Sequence, residues 1–173
     1  MDALSALAVL APALDAALHP RVLAALPAVV AGLGAPRGEV RQMCARLLAE
    51  LCAVEALRVP AMEAVIRRVL PALGDADRAV WRCGAAEALH RVVARMGLAV
   101  LPFAIFLVVP ILGRMSDQHA AVRHTVTRCF ATLLELLPLE ASIPDPPGLA
   151  PDLSASKIRE RRFLEQLLDT SKV

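Results

Sequence analysis

Apolar residues recur along most of this chain at spacings of three and four, as in helices with one buried side. Val40, Cys44, Leu47, Leu48 and Leu51 form one such stripe, and Val122, Val126, Phe130, Leu133 and Leu137 form another. The pattern predicts helices over 3–17, 20–33, 38–54, 60–73, 77–96, 98–113 and 118–137. Pro20 and Pro60 are placed in opening turns, where the missing N–H is harmless. Pro27, Pro71 and Pro110 fall inside helices, where each removes a hydrogen bond and favours a bend. Residues 138–153 hold Pro138, Pro144, Pro146, Pro147 and Pro151 and read as a semi-rigid linker. A last helix is predicted near 154–169, with the short stripe Phe163, Leu164, Leu167 and Leu168.

Three segments repeat. Leu26-Pro27-Ala28-Val29 runs to Gly34 and Val40-Arg41. Leu70-Pro71-Ala72-Leu73-Gly74-Asp75 is followed by Val80-Trp81. Val109-Pro110-Ile111-Leu112-Gly113 is followed by Asp117 and Val122-Arg123. The prolines lie 44 and 39 residues apart and the valines 40 and 42. Each unit is an apolar helix with Pro, a short Gly/Asp turn, Val-Arg and a second apolar helix. That is the period and grammar of HEAT repeats. The expected fold is an all-α, armadillo-like α-solenoid over 1–137, with about three and a half helical pairs. The linker follows over 138–153, then a C-terminal docking helix and tail over 154–173. Asp75 and Asp117 are placed to accept N–H bonds at the next helix start. Val40, Val80 and Val122 are expected in the core. Trp81 departs from the pattern where Arg is expected, with Arg82 as its neighbouring substitute.

Composition supports helices: 57% of residues are hydrophobic and only 3% aromatic, which disfavours a sheet protein. A net charge of +2 is no strong signal for a polyanion partner. Cys44, Cys52, Cys83 and Cys129 form no C-x-x-C pair and read as small apolar residues in a reducing compartment. No His stands at zinc-ligand spacing from a cysteine pair, so neither metal nor cofactor is expected. Met1–Leu18 lacks the positive start of a signal peptide, since no Lys or Arg precedes Arg21. Gly97–Gly113 carries no charge, yet it is short for a span and holds Pro102 and Pro110. A helix buried between two neighbours explains it without a membrane.

A sharper resemblance begins at Val109. Gly113-Arg114-Met115-Ser116-Asp117-Gln118, Cys129-Phe130-Ala131-Thr132-Leu133, Pro138-Leu139-Glu140, Ile143-Pro144-Asp145-Pro146-Pro147 and Glu160 to Asp169 occur in order. This looks like the TATA-box-binding-protein-associated factor family of the B-TFIID complex. The resemblance implies a nuclear transcription regulator, in which a HEAT array grips the TATA-box-binding protein and a helicase-like motor strips it from the promoter. The resembling part is the end of the array before the motor. No G-x-x-x-x-G-K-[ST] phosphate loop occurs in this sequence, so motor activity does not carry over and no enzyme is expected.

The function expected is a non-catalytic interaction scaffold whose partner is a protein, the TATA-box-binding protein by resemblance. The alternative is a generic HEAT adaptor for transport, phosphatase or cytoskeletal assembly. Candidate partner-surface residues are Trp81, Arg41, Arg82, Arg123, Arg161, Arg162 and Phe163. Trp81 competes between a role as binding anchor and packing between repeats. The three repeating arginines compete between a basic ridge and a structural pairing with turn acids such as Asp75, Asp77 and Asp117. One Trp and four Phe provide no stacking row for single-stranded nucleic acid, which argues against direct nucleic-acid binding. Met1–Leu18 reads as a lone second helix, so self-association through exposed solenoid ends is expected.

Overall fold

The computed structural model describes residues 3–136. It is all-helical over that range: α1 (Ala3–Leu10), α2 (His19–Gly32), α3 (Gly38–Ala53), α4 (Glu55–Ala64), α5 (Leu70–Leu73), α6 (Ala79–Met96), α7 (Ala104–Leu112) and α8 (Ala120–Leu136). Short 3₁₀ turns cover Ala11–Ala13, Ala16–Leu18 and Gly97–Phe103. The linker expected over 138–153 and the helix expected near 154–169 lie outside the described residues.

Three helical hairpins follow one another. α2 packs on α3, α5 on α6, and α7 on α8. The second members form one row, with α1 on α3, α3 on α6 and α6 on α8. The first members form the other layer, with α2 on α4 and α5 on α7. One continuous core lies between the layers, built largely from Leu, Val and Ala. Leu47, Leu48 and Leu51 of α3, Leu89, Val92 and Val93 of α6 and Val126, Phe130 and Leu133 of α8 are all buried. α6 is lined on both flanks by small residues, Gly84, Ala85, Ala86 and Ala88, which lets its neighbours approach closely. A Cβ on Gly84 would collide with the Leu33 carbonyl, and one on Gly34 would land inside the Trp81 indole.

Several boundaries differ from expectation, each for a local reason. The first predicted helix breaks at Pro12, and Leu14 turns extended (ψ 131°). Asp15 Oδ1 then accepts from Ala17 N at 2.8 Å and starts the next turn. The fourth helix begins at Glu55, so Pro60 stands inside it and not in its opening turn. Ahead of Pro71, which cannot donate, Val65–Val69 widen into a π-turn and Leu70 N reaches back to the Val65 carbonyl. The predicted helix over 98–113 is divided: Gly97–Phe103, containing Pro102, tightens to 3₁₀ before α7 begins.

Helical residues run from Ala79 to Leu112, 34 in all, long and apolar enough to cross a membrane by length and composition. The chain turns at Gly97 (φ +54°), the one positive-φ glycine among the described residues. α7 then packs on α5 and α8, so the stretch forms two rods. The expectation of a helix buried on all sides between 97 and 113 is corrected. Ile105, Val109, Leu98 and Phe106 are 78%, 73%, 68% and 51% exposed.

Candidate partner surface

The turns between paired helices form one edge of the molecule, and three arginines govern it. Arg41 Nη1 donates to the carbonyls of Ala35 (2.7 Å) and Pro36 (2.9 Å). Arg82 Nη1 donates to those of Asp75 (2.9 Å) and Ala76 (3.0 Å). Arg123 Nη1 donates to those of Asp117 (2.7 Å) and Gln118 (3.0 Å). Each guanidinium, one turn into the second helix of a pair, satisfies carbonyls that the preceding turn leaves without helical partners.

This geometry resets the alignment of the repeats. Arg41, Arg82 and Arg123 stand 41 residues apart. Trp81 therefore occupies the position of Val40 and Val122, and Arg82 is the true equivalent of the other two arginines. The expectation that Val80 faces the core is corrected: it is exposed, while Val122 is buried and Val40 half-buried. Displacement by one residue rotates a helical side chain through about 100°, enough to move it from core to surface.

Arg82 also joins neighbouring pairs. Its Nε lies 2.9 Å from Asp117 Oδ2, as an ion pair and not an aligned hydrogen bond, and its Nη2 donates to Asp117 Oδ1 at 3.3 Å. Both side chains are almost fully buried. Asp117 Oδ1 also accepts from His119 N at 2.8 Å, as expected of a turn acid. Burial pushes the Asp117 carboxyl up. The His119 N–H, Arg82 and the Arg114 charge more than offset this and hold it below the usual carboxylate range. Arg114 Nη2 donates to the Gly74 carbonyl at 2.7 Å, a second tie between adjacent turns that the sequence patterns did not single out.

The first junction is built differently. Asp75 Oδ1 accepts from Asp77 N (3.1 Å) and Arg78 N (2.9 Å). Its Oδ2 accepts from Arg78 Nη2 at 2.6 Å. The side-chain hydrogen bond from Arg78 is the main reason its carboxyl is held low. Where the second junction has a buried ion pair, the first has Trp81 against Gly34, with Arg78 over the indole at 5.2 Å from the ring centroid. Trp81 is half-buried, so its ring both packs between pairs and reaches the surface.

Arg41, Trp81, Arg82 and Arg123 thus share the turn edge, whereas Arg161, Arg162 and Phe163 lie outside the described residues. Away from that edge, Arg95 Nε donates to Glu50 Oε2 at 2.9 Å across α3 and α6. On α6 itself, Glu87 Oε1 accepts from Arg91 Nε at 2.6 Å. Cys44, Cys52 and Cys129 are buried free thiols, and burial pushes Cys52 and Cys129 up to about 12.

No protein-family model matches the sequence. Individual proteins do. TATA-binding protein-associated factor mot1 of Schizosaccharomyces pombe is 41% identical over 173 residues, 100% of this chain and 9% of its own length. TATA-binding protein-associated factor 172 of Homo sapiens is 43% identical over 163 residues, 94% of this chain and 9% of its own. The chain matches TATA-binding protein-associated factors along its whole length. A plant relative, TATA-binding protein-associated factor BTAF1 of Arabidopsis thaliana, is 36% identical over 164 residues, 95% of this chain and 8% of its own. The chain spans less than a tenth of the length of these curated relatives. The match covers the turn-edge residues and the stretch before Val109 as well, where the repeats alone were less distinctive.

Proposed function

We propose that this chain is a non-catalytic HEAT-repeat scaffold in transcription regulation, acting in the nucleus by binding the TATA-box-binding protein. The observation that carries it is the identity of about two residues in five to TATA-binding protein-associated factors across the whole chain. The stacked hairpins support the HEAT assignment, because arginines 41 residues apart perform one capping task in each unit. Such an array contributes a continuous surface and no reacting groups.

The turn edge is the gripping surface in this proposal. Trp81 supplies a half-exposed aromatic anchor, and Arg41 and Arg123 keep guanidinium donors beyond those spent on the turn carbonyls. Arg161, Arg162 and Phe163, which lie outside the described residues, are further candidates for contact with the same partner. Arg82 acts from beneath by holding the second and third pairs together.

Titration of the chain with the TATA-box-binding protein, with and without promoter DNA, tests this. Saturable binding is expected, with a change in Trp81 fluorescence that reports contact at the turn edge. Trp81→Phe is expected to weaken binding with the fold intact. No binding in the micromolar range would overturn the proposed partner, and DNA-stimulated ATP turnover would overturn the non-catalytic assignment.

A further inference from the structure

The first members of the pairs lie side by side, so each has two flanks. α2 turns one flank to α4, where Leu23 and Pro27 line the cleft between the two helices with Pro60 and Ala64. On its other flank, Ala25 and Ala28 are exposed. Two 41-residue units later, α7 repeats the arrangement. Ala104 and Ile111 stand in the places of Val22 and Val29 and are buried like them. Leu107 takes the place of Ala25 and is buried, because α7 has α5 on that flank. Ile105 and Val109 take the places of Leu23 and Pro27, yet both are mostly exposed, with Phe106 beside them. They stand where a next first-layer helix would lie, and none follows among the described residues.

We propose that a second copy of this chain supplies that helix, the Ala25 and Ala28 flank of its α2 docking on the Ile105 and Val109 flank of α7. The two flanks complement each other in shape and charge. Ala25 and Ala28 are three residues apart and share a face, and their small side chains leave room for Ile105, Phe106 and Val109. Gly97–Gly113 has no charged residue, and α2 has no Asp or Glu and only Arg21 in its first turn. Docking therefore strands no buried carboxylate and opposes no like charges. Two α7 flanks facing each other would set large side chains against large ones, whereas α7 on α2 reuses the side-by-side packing already present within the chain.

The contact joins different surfaces of the two copies, so it propagates head to tail and does not stop at a dimer. It is confined to the first layer, because α8 shows the polar residues His124, Arg128 and Glu135 to solvent. The exposed side chains on each flank cover about 450 Å², or about 900 Å² for both copies, below the roughly 1,200 Å² of a stable complex. Association is therefore weak, in the micromolar range. The inference does not rest on the TATA-box-binding protein as partner, and it uses neither Trp81 nor the turn arginines.

Sedimentation of the full chain across the micromolar range tests it. The weight-average mass is expected to rise with concentration past that of a dimer. Ile105→Glu with Val109→Glu closes the α7 flank, and Ala25→Glu with Ala28→Glu closes the α2 flank; each variant should stay monomeric with unchanged circular dichroism. An equimolar mixture of the two variants keeps one open flank of each kind and should form a dimer that grows no further, a result that misfolded variants cannot imitate. A native chain that stays monomeric at all concentrations would overturn the proposal, as would be found if another part of the chain covered α7. So would a native chain that stops at a dimer and is unaffected by the α2 substitutions, which would mean α7 on α7, or a mixture that fails to associate.

Discussion

At the scale of single residues, Asp117 is the acid of a buried ion pair. Its carboxylate is buried with Arg82 and holds the start of α8 through His119 N. Removing one member of a buried pair leaves the other charge without compensation. Asp117→Ala is expected to destabilise the fold by about 3 kcal/mol, measured as a shift of the urea midpoint at unchanged slope. Arg82→Met combined with Asp117→Leu should lose less than the sum of the two single changes, since the pair is removed together. His90 makes a second residue-scale prediction. Burial first, then the charge of Arg128, lowers its pKa from 6.5, with Glu87 opposing and Arg91 adding slightly. The unfolded chain therefore takes up a proton at His90 more readily than the folded one. Its contribution to stability is fully present above pH 6.5 and declines as pH falls from there towards the lowered folded value. His90→Gln should flatten the decline in stability that begins as pH falls through 6.5, above the range in which Asp75 and Asp117 titrate.

At the scale of elements, close approach between helices depends on missing side chains. Gly84 lets α6 lie against the end of α2 at Leu33, where any Cβ meets backbone and not a movable side chain. Gly84→Ala is expected to destabilise by about 1–3 kcal/mol despite its better helix propensity, because overpacking here must displace a helix end. Circular dichroism should show retained helicity with a lower melting temperature. Gly34→Ala meets a side chain instead and should move the indole outward, seen as a red shift of the single tryptophan's emission. The helices themselves were legible from the spacing of apolar residues, and so was the hairpin order. The π-turn before Pro71 and the division of 98–113 were not. Both record how a proline's missing donor is accommodated once neighbouring helices fix the path, and a periodicity cannot contain that.

For the molecule as a whole, each pair touches mainly its neighbours, so stability is shared through junctions. The two junctions differ: a buried ion pair joins the second and third pairs, while Trp81 on Gly34 joins the first and second. Asp117→Ala should therefore raise hydrogen exchange in 104–136 more than in 19–53, and Trp81→Ala should do the reverse. Equal loosening of both halves would show that the array opens as one unit.

The sequence by itself determined the helical class, the paired units near forty residues, the turn acids and the kinship with TATA-binding protein-associated factors, since these reside in local spacing and residue identity. Only the tertiary structure decided the register of the second unit, where Trp81 takes a valine's place and Val80 faces water, because the turn carbonyls select which arginine caps them. It likewise decided that α7 shows an apolar face, because an uncharged run looks the same in sequence whether neighbours surround it or leave one side open.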